Sequence, residues 1–268
     1  MGVAVTAMDQ VRFDHAMALR DAGQVERALE ELSYLVDSTP DPQERASLVL
    51  NQATCLTIMR RFDEARERQK EAIRISQRVE IRASADFGTA SICALEGRDA
   101  EALARFEALL RDFGQALVRP ENLDVYYETQ MRRGSLLLGA GRFREARKVL
   151  EECLTFPLGE RDESFVLYNL GACYANLRER DLGKETLQKA LERGLQGPDS
   201  VSAHYYLGTI YSAEGAHAKA LAEFEWCLAH EAEGQIARKH IYEWLSGTAG
   251  RLGMNREAEH YQALGKDS

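Results

Sequence analysis

The sequence predicts an all-α protein built from seven antiparallel helix pairs, and three observations support this prediction. Only five prolines occur in 268 residues, and Ala, Leu, Glu and Arg are abundant, which favours helices. No segment shows the alternation of apolar and polar residues that is typical of a strand. Small residues also recur at a nearly constant spacing along the chain, which indicates one unit repeated many times.

Each repeat has a small residue on its first helix and another twelve positions later on its second helix. The first-helix sites, separated by 37, 37, 44, 37, 37 and 38 residues, are Ala16, Ala53, Ala90, Gly134, Gly171, Gly208 and Ser246. The second-helix sites are Ala28, Ala65, Ala102, Ala146, Gly183, Ala220 and Ala258. Short side chains let two antiparallel helices approach closely, so we expect these sites to mark the helix crossings.

The turn inside each pair is marked in five repeats by Gly23, Gly97, Gly141, Gly215 and Gly253. A glycine with positive φ lets the first helix end and the chain reverse. Arg60 and Arg178 stand at this position in the other two repeats, where we predict short but less favourable turns. Between pairs, 38–42 and 197–200 combine proline with polar residues that can cap the next helix.

One repeat shows the pattern most completely. Its small and apolar residues are Leu207, Gly208, Tyr211, Ala220 and Phe224. The spacing Leu-Gly-x2-Tyr, followed by Ala-x3-Phe, resembles the tetratricopeptide repeat. His204 stands where that pattern has Trp, and Ala232 stands where it often has Pro. The resemblance extends over nearly the whole chain and implies a right-handed α-α superhelix.

The register of the repeats predicts how the chain is organised. We expect a disordered tail over 1–8 and a single solenoid over 9–268, with repeats starting near 9, 46, 83, 127, 164, 201 and 239. The 44-residue step contains seven extra residues, which predict a longer helix at 111–123, interrupted by Pro120. This extension is either a structural insertion or a site for an added contact.

Charge and composition limit the classes of partner. A net charge of −9 and a pI of about 5.3 disfavour nucleic acid and anionic membrane surfaces. The start of the chain lacks a signal-peptide pattern, and no apolar run reaches the roughly 18 residues that span a bilayer. We therefore expect a cytoplasmic protein. The five cysteines are scattered, so we interpret them as core residues in a reducing compartment and predict no metal site.

Motifs for catalysis are missing from the sequence. H-E-x-x-H, G-x-S-x-G and the phosphate-binding loop pattern do not occur. The many carboxylates alternate with Arg and Lys at helical spacing, which is typical of a solvated helix face. We expect neither enzymatic activity nor a cofactor.

The resemblance implies that the first helices line a concave groove that binds a peptide or protein segment. Candidate groove residues lie three before, two before or one after the small site: Phe13, Met17, Leu50, Asn51, Phe87, Ser91, Met131, Ser135, Tyr168, Asn169, Tyr205 and Thr209. The carboxylate clamp known in this family is not reproduced, because only Asn51 or Asn169 matches it in either register tested.

Three alternatives remain open at the level of sequence. The aromatic and apolar ladder could pack between successive helix pairs and bind no ligand. The protein could also act as an assembly subunit that forms a homo-oligomer through its convex or edge surfaces, including Trp226 and the extension at 111–123. A sensor that changes shape when it binds a peptide would have the same sequence features as a passive binder.

Overall fold

The computed structural model describes residues 7–119, 122–230 and 236–267. These residues form fourteen α-helices and no strand, as predicted. The helices are α1 (Ala7–Asp21), α2 (Val25–Ser38), α3 (Pro42–Ile58), α4 (Phe62–Ile75), α5 (Val79–Leu95), α6 (Asp99–Leu117), α7 (Leu123–Gly139), α8 (Phe143–Cys153), α9 (Glu160–Asn176), α10 (Arg180–Glu192), α11 (Pro198–Ala213), α12 (His217–Ala229), α13 (Arg238–Arg251) and α14 (Asn255–Asp267).

The turns within the helix pairs have the predicted conformation. All five glycines at these turns have positive φ, between 73° and 77°. Arg60 and Arg178 also have positive φ, 59° and 63°. A side chain in this region crowds its own backbone, so these two turns are strained as the sequence indicated.

Helix starts between pairs also follow the sequence. The Asp41 carboxylate accepts hydrogen bonds from the backbone N–H groups of Gln43 and Glu44, both at 2.9 Å, while Pro42 is the first residue of α3. Pro198 likewise opens α11 after Gly197, whose φ is 64°. Proline fits the first helical position because its missing N–H would have no partner there.

The chain divides within α7 into two compact units, residues 1–129 and 130–268. In the first unit, α1 to α6 pack in chain order and α3 also contacts α5. In the second unit, α8 to α14 pack in chain order and α9 contacts α11. First helices of neighbouring pairs therefore lie side by side within a unit. The single domain over 9–268 stays a prediction.

Two helices, α1 and α6, depart from the predicted boundaries. Helix α1 begins at Ala7, inside the predicted tail, and residues 1–6 lie outside the described residues. Helix α6 ends at Leu117, short of the predicted 123, and Pro120 lies outside the described residues. After α6, the side-chain amide of Asn122 donates to the Ala116 carbonyl at 3.0 Å, which satisfies one of the free carbonyls at the helix end. At 19 residues, α6 is still the longest described helix.

The structure shows which large residue packs on the small site of a first helix. A Cβ added to Gly208 would lie 2.7 Å from the Phe224 ring, and one added to Gly171 would lie 2.7 Å from Leu187. The first-helix small residue therefore faces the large residue four positions after the second small site. Phe224 and Leu187 are fully buried, and each such side chain stabilises the fold by roughly 1.5–3 kcal/mol.

Ion pairs link successive helix pairs at a repeated position. A cation one residue after the second-helix small site bonds a carboxylate of the next pair: Arg66 with Glu96 at 2.6 Å, Arg147 with Glu179 at 2.9 Å and Lys184 with Glu214 at 2.8 Å. These pairs are only partly shielded from water, so each is expected to contribute less than about 1 kcal/mol.

The cysteines are core residues, as predicted. All five are buried and none forms a disulfide. Burial raises the pKa of Cys153, Cys173 and Cys227 to about 12, so these thiols stay protonated and unreactive near neutral pH. Separately, within the described ranges, no helix has both the length and the apolar character required to cross a bilayer.

Candidate functional site

A cavity of 200 Å³ lies in the first unit, between α1, the end of α2, and α3. We call it the α1–α3 groove. Its lining residues are Gln10, Phe13, Leu35, Thr39, Glu44, Ser47, Leu48 and Asn51. Phe13 and Asn51 are candidate groove residues from the sequence, and the fold brings them together from different helix pairs.

The floor of the α1–α3 groove is apolar and well supported. Leu35 and Leu48 are 2% and 9% exposed and belong to one core cluster, against which the half-buried Phe13 packs. The two leucines come from α2 and α3, so the floor is formed where one pair meets the next. A floor built from packed core residues keeps its shape when no ligand is bound.

The rim of the α1–α3 groove carries polar groups. The Asn51 amide nitrogen donates to the Ser47 carbonyl at 3.0 Å, and the Gln10 amide nitrogen donates to Asp14 at 2.9 Å. The side-chain oxygen of each amide has no donor among the described residues and can accept one from a ligand. Glu44 supplies the one charge among the lining residues.

The size of the cavity indicates what kind of ligand fits it. Sites for small molecules typically have volumes of about 300–1,000 Å³, whereas this cavity measures 200 Å³. An apolar floor of this size, with amide oxygens at its edge, suits one apolar side chain of a peptide whose backbone N–H groups reach the rim.

Other candidate residues of the first unit lie outside this cavity. Met17 and Leu50 are half-buried and pack against two different core clusters. The Phe87 ring lies 5.6 Å from the Phe106 ring at a tilt of 53°. The Ser91 hydroxyl is buried without a hydrogen-bond partner in the described structure.

In the second unit, several candidate side chains are already engaged within their own helices. Met131 and Asn169 are buried, 5% and 1% exposed, and the Asn169 amide donates to the Phe165 carbonyl at 2.8 Å. The Thr209 hydroxyl donates to the Tyr206 carbonyl at 2.7 Å. Ser135 is half-buried. Met131 and Asn169 therefore offer almost no surface to a ligand.

The candidate tyrosines of the second unit are held by packing. Burial raises the pKa of Tyr168, whose hydroxyl lies close to Ser202. The Tyr205 hydroxyl accepts a hydrogen bond from the indole N–H of Trp244 at 2.9 Å. Trp244 in turn stacks on Phe224, with ring centres 5.4 Å apart. For Tyr205, the structure thus shows the packing contact that the sequence left open as an alternative.

Trp226 is enclosed by two histidines. Its ring stacks on His204 and His230, each at a centroid distance of 3.8 Å. His204 Nδ1 lies 2.6 Å from a Glu223 oxygen. In the sequence, this cluster is marked only by His204, which stands where the repeat pattern has Trp. These two contacts pack Trp226 against side chains of its own helix pair, and its role in self-association stays a prediction.

Comparisons with known proteins agree with the helix-pair fold. A tetratricopeptide repeat family model matches residues 13–80 and 168–226. No match was found among curated protein sequences.

Three solved structures illustrate the likeness. PilW, a type IV pilus biogenesis factor, is 18% identical over 86% of this chain and 96% of its own, with a TM-score of 0.61. The structure of the APC/C hetero-tetramer Cut9-Hcn1 is 15% identical over 94% of this chain and 44% of its own, with a TM-score of 0.69. YrrB is described as a tetratricopeptide repeat protein with an unusual peptide-binding site. It is 19% identical over 75% of this chain and 93% of its own, with a TM-score of 0.51.

Identities this low establish the fold and leave the ligand open. The same repeat is indicated by the small sites, the glycine turns, the family model and these structures. The chain is a tetratricopeptide repeat protein, with repeats over most of its length.

Proposed function

We propose that this chain is a non-catalytic interaction module that binds a peptide or protein segment along its first helices, with the α1–α3 groove as the main contact. The convergence of Phe13 and Asn51 over a buried floor of Leu35 and Leu48 carries this proposal. Phe13 offers an aromatic wall for an apolar anchor, and Asn51 offers a hydrogen-bond acceptor for the ligand backbone. The peptide-binding site named for YrrB supports the same class of function.

Charge and composition support the proposed partner, location and lack of catalysis. A net charge of −9 and the Glu44 carboxylate on the rim favour a neutral or basic segment and disfavour nucleic acid. Five buried thiols without disulfides fit a reducing cytoplasmic location. No histidine or cysteine lines the α1–α3 groove, so its lining offers no thiol nucleophile and no imidazole that could activate the Ser47 or Thr39 hydroxyl.

Selection from a displayed library of random peptides tests this function. The wild-type protein is expected to enrich sequences with one apolar anchor, and a selected peptide is then titrated against wild type and Phe13→Ala. Loss of the anchor contact should weaken the affinity of Phe13→Ala at least about tenfold. Asn51→Ala should weaken it by a smaller factor, because it removes one hydrogen bond.

Tyr34→Ala is the matched control. Tyr34 lies on α2 of the same unit, is 54% exposed and does not line the groove, so its variant should bind the selected peptide as wild type does. The proposal is wrong if no peptide is enriched, or if Phe13→Ala and Tyr34→Ala bind the selected peptide equally well while both remain folded.

A further inference from the structure

A second and larger cleft lies in the first unit, on the second helices. It has a volume of 710 Å³ and runs between α4 and α6, with α5 as its floor. We call it the α4–α6 cleft. Thr89 and Cys93 of α5 lie at the floor, and the charged lining residues are Arg66, Lys70, Glu96, Arg98, Glu101 and Arg105. None of these residues lines the α1–α3 groove.

The α4–α6 cleft is positively charged in a chain that is negative as a whole. Four of its charged lining residues are cations and two are carboxylates, whereas the net charge of the chain is −9. Two further acids approach from outside the lining, Asp63 beside Arg66 and Glu67 beside Lys70. Lys70 and Glu67 are equally exposed, 63% each, so this pair cancels, whereas Asp63 is fully exposed and water screens much of its effect on Arg66. The excess positive charge of the cleft therefore comes from Arg66, Arg98 and Arg105, set against Glu96 and Glu101.

Internal contacts hold the guanidinium groups in place. Arg98 donates to Glu96 at 2.9 Å, to Glu101 at 2.7 Å and to the Cys93 sulfur at 3.4 Å. Arg66 donates to the same Glu96 at 2.6 Å. Guanidinium groups fixed in this way lose little conformational freedom when an anion binds between them.

Among the three arginines of the cleft, Arg105 has the fewest internal partners, since it bonds Glu101 alone. Its Nε and one terminal nitrogen both donate to a single Glu101 oxygen, at 3.0 and 2.8 Å, and its side chain is 47% exposed. A guanidinium has five N–H donors in a planar fork, so Arg105 can bind another carboxylate while it keeps Glu101.

We propose that the α4–α6 cleft binds an acidic segment of a partner protein, whose carboxylates pair with Arg105, Arg98 and Arg66. This second interaction surface goes beyond the groove function, since it uses the other helix of each pair and the opposite ligand charge. A volume of 710 Å³ accommodates several residues of a peptide, whereas a lone phosphate would leave most of it unfilled. Arginine pairs with carboxylates through two parallel hydrogen bonds, which gives the contact its direction.

Titration of a fluorescein-labelled oligoglutamate peptide, followed by fluorescence anisotropy, tests the proposal in two directions. The wild-type protein should bind it saturably, and binding should weaken with added salt. Arg105→Gln should weaken the affinity at least about threefold. Glu101→Gln should strengthen it, because this change removes a competing carboxylate and frees donors of Arg98 and Arg105.

Arg68→Gln is the control for charge alone. Arg68 lies on α4, pairs with Glu71 and does not line the cleft, so its variant should bind as wild type does. Phe13→Ala should also leave oligoglutamate binding unchanged, which separates this proposal from the groove function. Thermal unfolding of each variant verifies the fold.

Four results would overturn the proposal. The first is that wild type shows no saturable binding. The second is that Arg68→Gln weakens binding as much as Arg105→Gln, which would indicate a diffuse charge effect. The third is that Glu101→Gln fails to strengthen binding. The fourth is that inorganic phosphate displaces the peptide at concentrations similar to that of the peptide itself. That result would assign the cleft to small anions.

Discussion

The indole N–H of Trp244 donates a hydrogen bond to the Tyr205 hydroxyl at 2.9 Å, which joins α13 to α11. Phe224 of α12 completes the cluster, with its ring centre 5.8 Å from that of Tyr205 and 5.4 Å from that of Trp244. A residue that the repeat pattern assigns to ligand binding therefore connects two helix pairs.

Tyr205→Phe is expected to lower the free energy of unfolding by about 1 kcal/mol, because the Trp244 N–H loses its acceptor. Urea denaturation followed by circular dichroism measures this change. The variant should still bind a peptide selected for the α1–α3 groove with wild-type affinity. Unchanged stability together with weaker peptide binding would show that the Tyr205 hydroxyl serves the ligand and not the packing.

Two glycine substitutions should have opposite effects. In Gly208→Ala the new methyl group would lie 2.7 Å from the Phe224 ring, so we expect a loss of about 1–3 kcal/mol. Gly114 lies inside α6 with no atom close to its added Cβ, and Gly114→Ala should stabilise the protein by about 1 kcal/mol. Denaturation curves of the two variants measure both effects, and equal shifts in the same direction would contradict the packing described here.

The strained turn at Arg178 offers a stabilising substitution. Its φ is 63°, which costs a residue with a side chain roughly 1 kcal/mol or more compared with glycine. Arg178→Gly should therefore raise the melting temperature, although greater freedom of the unfolded chain offsets part of the gain. The reverse change at the equivalent turn, Gly215→Arg, should lower it. A lower melting temperature for Arg178→Gly would show that the turn is not strained.

The stability that Glu96 contributes should depend on pH. Hydrogen bonds from Arg66 and Arg98 lower the pKa of Glu96 from its usual value of 4.5. A carboxyl group with a lowered folded-state pKa stabilises the protein above the unfolded pKa, and this stabilisation disappears as the pH falls through the folded value. Wild type should thus be more stable than Glu96→Gln at neutral pH, with the difference vanishing in acid.

Denaturation midpoints of the two proteins, measured from pH 7 to about pH 3, provide the test. A difference that stays constant over this range, or that grows in acid, would show that the Glu96 charge does not stabilise the folded state.

The fold could be predicted because its determinants are local. Glycine at a turn such as Gly215 and proline at a helix start such as Pro42 act on the backbone of their own residues, so a single sequence reveals them. The small sites were also visible, because their spacing repeats. The residue that packs on Gly208 could not be predicted. The spacing alone does not show that Phe224, and not Ala220, covers this glycine.

The candidate groove could be predicted only in part. Phe13, Tyr168 and Tyr205 occupy the same repeat position, yet Phe13 lines the α1–α3 groove while both tyrosines pack against the core of the second unit. The difference depends on the neighbouring pair, because Trp244 covers Tyr205 and Ser202 contacts Tyr168. Such contacts between pairs depend on residues 34 and 39 positions away, which the pattern of a single repeat does not include.

Amide NMR spectra recorded during titration of a selected apolar-anchor peptide test the central claim most directly. The account predicts saturable shift changes concentrated around Phe13 on α1 and around Leu48 and Asn51 on α3, and their loss in Phe13→Ala. Changes centred on the α4–α6 cleft or on the second unit, with α1 and α3 unaffected, would contradict the claim that the α1–α3 groove binds the ligand.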